Sequence, residues 1–402
     1  METAPWKLTR WYTAMPMPYQ ADGRFFDRDA GLVCMGLRSR GIDSKLVLLD
    51  GEAPDPALPL ITTTRPNMGN ASWWKTCGAG GVVLNSWGGP RYEDIARAIY
   101  EAGLRLVVRL DSNGIKSPVA YFPQYVSREY SWYRDLNYPL PAVAALGKAV
   151  LFRYFRGLHD ESLLRHLSYA DVIGIESPLA RECLVHVLGL LGGDDLAHRI
   201  RVIPHPVLDA MAYEPQIPKK KIIVAAGRWE AFIKDAPMLD RVLRRILKQE
   251  PGYRARIAGS GGDVIRQNLD SWPKTLRERV EYVGEMAPGQ MPAFYKDAQV
   301  MLVTSRWESF CIAAAEAVCC GCSIAALGRI ASMNYFASHA SGSLAPRRRT
   351  DALAGAVLNE INAWREGARD PQAISEYWRH ILHPTTVADA VLGAEKEPHN
   401  ES

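Results

Sequence analysis

Four residues in the second half of the chain have the types and spacing of a site for phosphates and hydroxyls: Arg228, Lys234, Glu308 and Glu316. The two glutamates lie in residues 305–326, SRWESFCIAAAEAVCCGCSIAA, with seven residues between them. An α-helix rises about 1.5 Å per residue, so Glu316 sits about two turns inside a helix that begins after Glu308. Free N–H groups at a helix N-terminus attract anions. A phosphate held there has one carboxylate near each side, and each can bind a hydroxylated group. Taken as a bare pair, the glutamates have a second reading: Glu308 caps the helix and Glu316 faces solvent, since acids are common at helix starts. Arg228 and Lys234 come from residues 227–235, GRWEAFIKD, directly after another apolar run. Two cations beside helix amides suit a diphosphate, and carboxylates suit sugar and ribose hydroxyls. The combination predicts a nucleotide-sugar site. No Walker lysine loop is present to argue for ATP hydrolysis, and no Asp-rich cluster demands Mg²⁺.

The elements that must position these residues follow from hydrophobic patterning. The apolar run 300–303 reads as a buried strand. Residues 305–309 form a loop, the Ala-rich stretch 311–318 is a strong helix former, Gly321 stops it, and 323–327 is the next strand. In open parallel sheets ligands bind at the carboxyl ends of strands, where such loops emerge. Upstream, 221–227 predicts a strand, 236–249 a helix, and YRARIAG and VEYVG two further strands. A helix at 290–296 precedes the strand at 300–303. A less regular stretch runs from 328 to 349, followed by helices at 351–365, 371–381 and 385–394.

The first half shows the same alternation. Residues 6–15 read as a strand, Asp22-Gly23 as a turn, and the stripe Phe26, Ala30, Val33, Met35, Leu37 as a helix ended by Gly41. Strands follow at 44–50, 80–85 and 104–110, with a helix at 92–102. The last of these strands runs into Asp111, which either contacts substrate hydroxyls or closes an Asx-turn. Residues 115–168 break the rhythm: they are aromatic and basic and read as a helical insertion. Its Phe152, Arg153, Tyr154, Phe155 and Arg156 either touch a membrane surface or cover apolar neighbours with their stems. A strand at 171–176, a helix capped by Ser177 and a short strand at 201–203 lead to the linker PHPVLDAMAYEPQIPKKK. The fold class is therefore α/β, with two Rossmann-like doubly wound domains. Expected boundaries are 1–205 with the insertion, 206–375, and a C-terminal helical segment 376–402 that returns toward the first domain.

Composition excludes several alternatives. Hydrophobic content of 48% and charged content of 23% are ordinary for a globular chain. A net charge of +4 gives no argument for nucleic acid, and Lys219–221 and Arg347–349 read as solvated loop charges. The seven cysteines are irregularly spaced. Cys319, Cys320 and Cys322 lack a matching second pair, so buried thiols are expected, with no metal site and a reducing, cytoplasmic setting.

Five stretches together resemble the retaining GT-B glycosyltransferases of the glycosyltransferase family 4-like, "glycosyl transferases group 1" kind. They are RVIPHPVLD, GRWEAFIKD, YRARIAGSGG, RVEYVGEM and AFYKDAQVMLVTSRWESFCIAAAEAVCCGCSIAA, spanning about 201–327 in the family's order. The resemblance implies two domains facing each other across a cleft and sugar transfer from a nucleoside-diphosphate donor to a hydroxyl acceptor, with retention and without a metal or resident cofactor. It implies that Arg228 and Lys234 stabilise the departing diphosphate and Glu308 meets the donor sugar. Gly227, Ser309, Phe310 and Cys311 then line the sugar and phosphates, Glu316 takes the ribose, Gly284 and Met286 flank the base, and Gly23 approaches from the first domain. UDP or GDP is the expected carrier. The acceptor, oriented by Asp111, is a sugar, a lipid-linked or a small hydroxyl compound, with no nucleic acid as partner and with peripheral membrane contact as one of the two readings of the insertion. The family usually has glycine where this chain has Ser309 and Cys311, which bears on donor identity. Two other readings share the scaffold: a non-catalytic nucleotide-sugar binding protein, and a sugar-nucleotide epimerase, for which His205 beside the linker is a cleft candidate, its other reading being a structural loop residue.

Overall fold

The computed structural model describes residues 10–18, 26–49, 57–155 and 159–393. The chain divides into two compact units, one of residues 1–120, 152–208 and 381–402, the other of 121–151 and 209–380.

In the first unit seven strands form a parallel sheet: β1 (Arg10–Pro18), β2 (Ser44–Leu49), β3 (Leu60–Thr63), β4 (Ala79–Asn85), β5 (Arg105–Arg109), β6 (Val172–Ile175) and β7 (Ile200–Val202). Their spatial order is β3-β2-β1-β4-β5-β6-β7. The order reverses direction between β1 and β4, the switch point of a doubly wound sheet. Central strands are apolar because helices cover both faces; Val82, Val83 and Leu84 are fully buried. The helix Pro178–Leu191 starts at Ser177, whose hydroxyl accepts from the Ala180 N–H at 3.4 Å.

The C-terminal helix Pro384–Leu392 packs in this unit against the helix Asp29–Ser39, with Val387 and Val391 buried beside Val33 and Leu37. Gly36 allows the approach: a Cβ there would lie 2.1 Å from the Pro384 carbonyl oxygen.

The second unit holds β8 (Lys220–Ala226), β9 (Arg254–Ala258), β10 (Val280–Gly284), β11 (Ala298–Leu302), β12 (Ser323–Leu327) and β13 (Gly342–Ala345), in the order β10-β9-β8-β11-β12-β13 and again parallel. The switch point lies between β8 and β11. The stretch 328–349, expected to be irregular, contains the helix Ala331–Phe336 and β13.

The insertion differs from expectation in its allegiance. It forms the helices Phe122–Asp135, Pro141–Tyr154 and Asp160–Ser168. Residues 121–151 group with the second unit, where the expectation had them in the first domain. The reason is local. The Asp135 carboxylate accepts from the Phe232 N–H at 2.6 Å, and the Tyr130 ring meets the Phe232 ring edge-on at 5.5 Å. Among the described residues no helix is long and apolar enough to cross a membrane.

Candidate functional site

The loops after β8 and β11 leave adjacent parallel strands at the same edge, so the sheet itself brings residues 227–235 and 303–311 together. Lys234 and Glu308, 74 positions apart, form an ion pair with Nζ 2.6 Å from Oε1. The Ser305 hydroxyl donates to the same carboxylate oxygen at 2.5 Å. Backbone contacts stitch the loops along their length. The Thr304 hydroxyl donates to the Lys234 carbonyl at 2.8 Å, and the Arg306 N–H donates to the Ile233 carbonyl at 2.8 Å. Asp235, buried and left-handed at φ 55, accepts from Arg306 Nη2 at 3.2 Å and from Arg348 Nε at 2.9 Å. Arg348, expected as a solvated loop charge, is thus a strut under the Lys234 loop. Lys219 is likewise tied in, donating to the Cys320 carbonyl at 2.7 Å.

Burial pulls the Lys234 ammonium toward neutrality, but the Glu308 carboxylate overrides it and raises its pKa; Arg228 pushes the other way. Arg228 is exposed, so a second positive charge faces water beside the pair. Gly227 lies against the lysine stem, where a Cβ would sit 3.3 Å from Lys234 Cδ.

The helix Ile312–Cys319 opens from Cys311, whose backbone is left-handed at φ 74 and ψ 77 with no side-chain cap. Glu308 therefore does not cap the helix. Its carboxylate turns to Lys234, and the Ala314 and Ala315 N–H groups donate to the Cys311 carbonyl. The site has the backbone that favours glycine, yet cysteine occupies it. Burial pushes the Cys311 thiol up to about 12, with Glu308 adding to the rise, Lys234 opposing it and Glu316 adding a smaller push. One thiol thus senses Lys234 and both glutamates, so the four groups share one neighbourhood. Glu316 is half-buried and accepts from the Tyr295 hydroxyl at 3.1 Å; it does not face open solvent. Phe310 is buried edge-on against Phe336 at 5.0 Å, which turns it into the core, while Ser309 is half-buried.

Gly284 and Met286 stand at the end of β10, two strands from β8. Gly284 is left-handed at φ 80 and its carbonyl accepts from the Gly259 N–H at 2.7 Å. Gly23 lies outside the described residues. Cys319, Cys320 and Cys322 are buried thiols, and burial raises all three.

The first unit has its own cluster at the carboxyl ends of its strands. Arg109, fully buried at the end of β5, sets Nη1 2.6 Å from Asp29 Oδ1. His205 Nδ1 lies 2.6 Å from the same oxygen, and its Nε2 lies 3.5 Å from Asp111 Oδ1 and 3.7 Å from Glu176 Oε1. Asp111 is left-handed at φ 41 and accepts from the Trp87 indole N–H at 3.1 Å. Glu176 accepts from the Ser112 N–H at 2.8 Å. Burial favours neutral His205, but the Asp29 charge and hydrogen bonds to Asp111 and Asp29 dominate and raise it to about 10. Burial and the Asp111 charge raise Glu176 to about 7. Burial opposes ionisation of Asp29, yet Arg109 and His205 hold it below the usual carboxylate range. Asp111, Glu176 and His205 offer three ligand atoms within 4.8 Å of one another, a grouping that sequence spacing did not reveal. Of this cluster, only Asp111 and His205 drew attention in the sequence. Arg109 read as a strand residue, and the one visible signal was its charge inside an apolar run.

Residues 209–378 match the family model described as "Glycosyl transferases group 1". No curated protein sequence matches the chain significantly. Solved structures match it along nearly its whole length. HepE from Anabaena, in complex with UDP and glucose, is 15% identical with a TM-score of 0.61, covering 96% of this chain and 99% of the other. Sucrose-phosphate synthase from Thermosynechococcus elongatus is 15% identical with a TM-score of 0.61, covering 96% and 98%. The lipopolysaccharide outer core galactosyltransferase WaaB is 14% identical with a TM-score of 0.62, covering 96% and 100%. The chain therefore has the GT-B fold, and its residues 209–378 resemble the glycosyl transferases group 1 family.

Proposed function

We propose that the protein is a retaining glycosyltransferase that moves a hexosyl group from a nucleoside-diphosphate donor to a hydroxyl acceptor without a metal. The observation that carries this reading is the Lys234–Glu308 pair, with Arg228 beside it and Glu316 on the helix that follows, at the switch point of the second sheet. Departure of the nucleoside diphosphate leaves an oxocarbenium-like sugar and growing negative charge on the phosphate. Arg228 and Lys234 are the groups to stabilise that charge, and fixed charges of this kind need no reorganisation at the moment of reaction. Glu308 then stands by the donor sugar and Glu316 by the ribose. The UDP and glucose in the HepE structure favour a uridine carrier and a hexose.

In this reading Asp111 orients the acceptor. Its strained backbone and its hold on the Trp87 indole support a positioning role. The acceptor hydroxyl approaches the face the diphosphate leaves and gives its proton to a phosphate oxygen, so no protein nucleophile is required.

The test is slow hydrolysis of a panel of sugar nucleotides by purified protein, followed by release of UDP, GDP, ADP or dTDP. Turnover is expected with one donor, and Lys234→Ala and Glu316→Ala are expected to abolish it. No turnover together with no thermal shift from any nucleoside diphosphate would overturn the assignment. Binding without turnover would instead favour a nucleotide-sugar binding protein.

A further inference from the structure

We propose that the hairpin of helices Phe122–Asp135 and Pro141–Tyr154 docks on a lipid bilayer carrying anionic headgroups. The sequence of the second helix, PAVAALGKAVLFRY, is apolar around most of its circumference. Such a helix belongs in a core or against an apolar phase. Here only Ala145 and Ala149 are buried. Leu140 and Val143 are 64% and 65% exposed, and Leu146 and Val150 follow one and two turns on along the same face. Ten of the fifteen large hydrophobic side chains exposed among the described residues fall between 132 and 155, so this is a patch and not scatter.

Charge selects the occupant. Residues 121–155 contain four basic and two acidic side chains. Both acids are engaged within the second unit. Glu129 is buried between Arg128 and Lys148 at 2.7 and 2.6 Å, and Asp135 accepts from the Phe232 N–H. Arg134 and Arg153 stay at the surface, and Trp132 and Tyr138 are exposed on the hairpin. Aliphatic residues flanked by Trp, Tyr and Arg are the composition of a helix lying in a membrane interface. A residual positive charge draws it to anionic lipid. This inference concerns a different surface from the donor site and does not depend on the proposed reaction.

The experiment is co-sedimentation of the full chain with phosphatidylcholine vesicles, with and without a minority of phosphatidylglycerol. Binding is expected with phosphatidylglycerol and is expected to weaken as salt rises. The double variant Val143→Asp/Val150→Asp replaces two exposed side chains, so it is expected to keep the wild-type melting curve. It should lose binding by at least about tenfold. Absence of binding by the wild type, or equal binding by the double variant, would overturn the proposal. Equal binding to both vesicle types would overturn the assignment of anionic headgroups. A dimer in light scattering that the double variant dissociates, without vesicle binding, would reassign the face to self-association.

Discussion

Lys234→Ala probes the geometry and the chemistry of the proposed donor site together. The substitution removes the ammonium 2.6 Å from Glu308 and leaves the carboxylate the Ser305 hydroxyl. Breaking a buried pair by taking one partner typically costs 3–5 kcal/mol, because the other charge stays desolvated. The two side chains keep 19% and 11% of their exposure, so the lower end applies, about 3 kcal/mol. The effect on turnover is separate. Loss of one group that stabilises developing charge costs about 3–4 kcal/mol, a rate loss of roughly 10²–10³.

Glu308→Ala and the double variant separate the two effects. With both charges gone no buried ion is left alone, so the double variant should regain about 2 kcal/mol relative to the sum of the singles. Its turnover should stay down. The assay is urea denaturation of the four proteins, alongside initial rates of nucleoside-diphosphate release at saturating donor. Additive stabilities would refute the ion pair. Recovery of turnover in the double variant would refute the catalytic assignment, since Lys234 would then serve only to neutralise Glu308.

Other perturbations give distinct signatures. Cys311→Gly relieves a left-handed backbone worth about 1–2 kcal/mol but removes a buried side chain, so denaturation should change by less than about 1 kcal/mol. Cys311→Val puts a β-branched residue in the same backbone and should cost about 2 kcal/mol or more in that assay. Asp235→Asn tolerates φ 55 but leaves Arg306 and Arg348 without their carboxylate, with an expected loss of about 2–4 kcal/mol and a raised donor KM. Gly36→Ala drives a Cβ into the Pro384 carbonyl and should release the C-terminal helix, which limited proteolysis would detect. The first unit should lose stability as pH rises. His205 binds its proton more tightly in the folded state, so its contribution is full below about 6.5 and lost as pH passes about 10. Glu176, raised from 4.5 to about 7, likewise contributes below 4.5 and loses that contribution by about 7. Thermal midpoints should fall through both ranges, with His205→Gln flattening the upper one and Glu176→Gln the lower. Asp29, depressed by Arg109 and His205, works in the opposite sense and is lost only in acid.

What the sequence reveals and what it hides follow one physical division. The helix at 236–249 and the strand VEYVG were legible to the residue, because an apolar stripe or run bounded by turn residues is local information. β3 and β13 were not read. LITT and GSLA are short and mostly half-buried, and their pairing with β2 and β12 holds them as strands. The insertion's allegiance was hidden for a related reason: the Asp135–Phe232 contact joins segments 97 residues apart. The meeting of Lys234 with Glu308 was readable since both loops carry their charges right after apolar strands, and parallel topology alone then fixes that they share an edge. The cluster Asp29, Arg109, Asp111, Glu176 and His205 follows the same rule at the other sheet, yet its five members come from four separate segments. Its legibility needs the strand order, because β5, β6 and β7 must be adjacent before residues 109, 111, 176 and 205 can meet. Charged residues at the ends of apolar runs are therefore informative only in sets, and the topology that completes the set at the first sheet is what ties Asp111 to a network of buried charges rather than to an isolated turn.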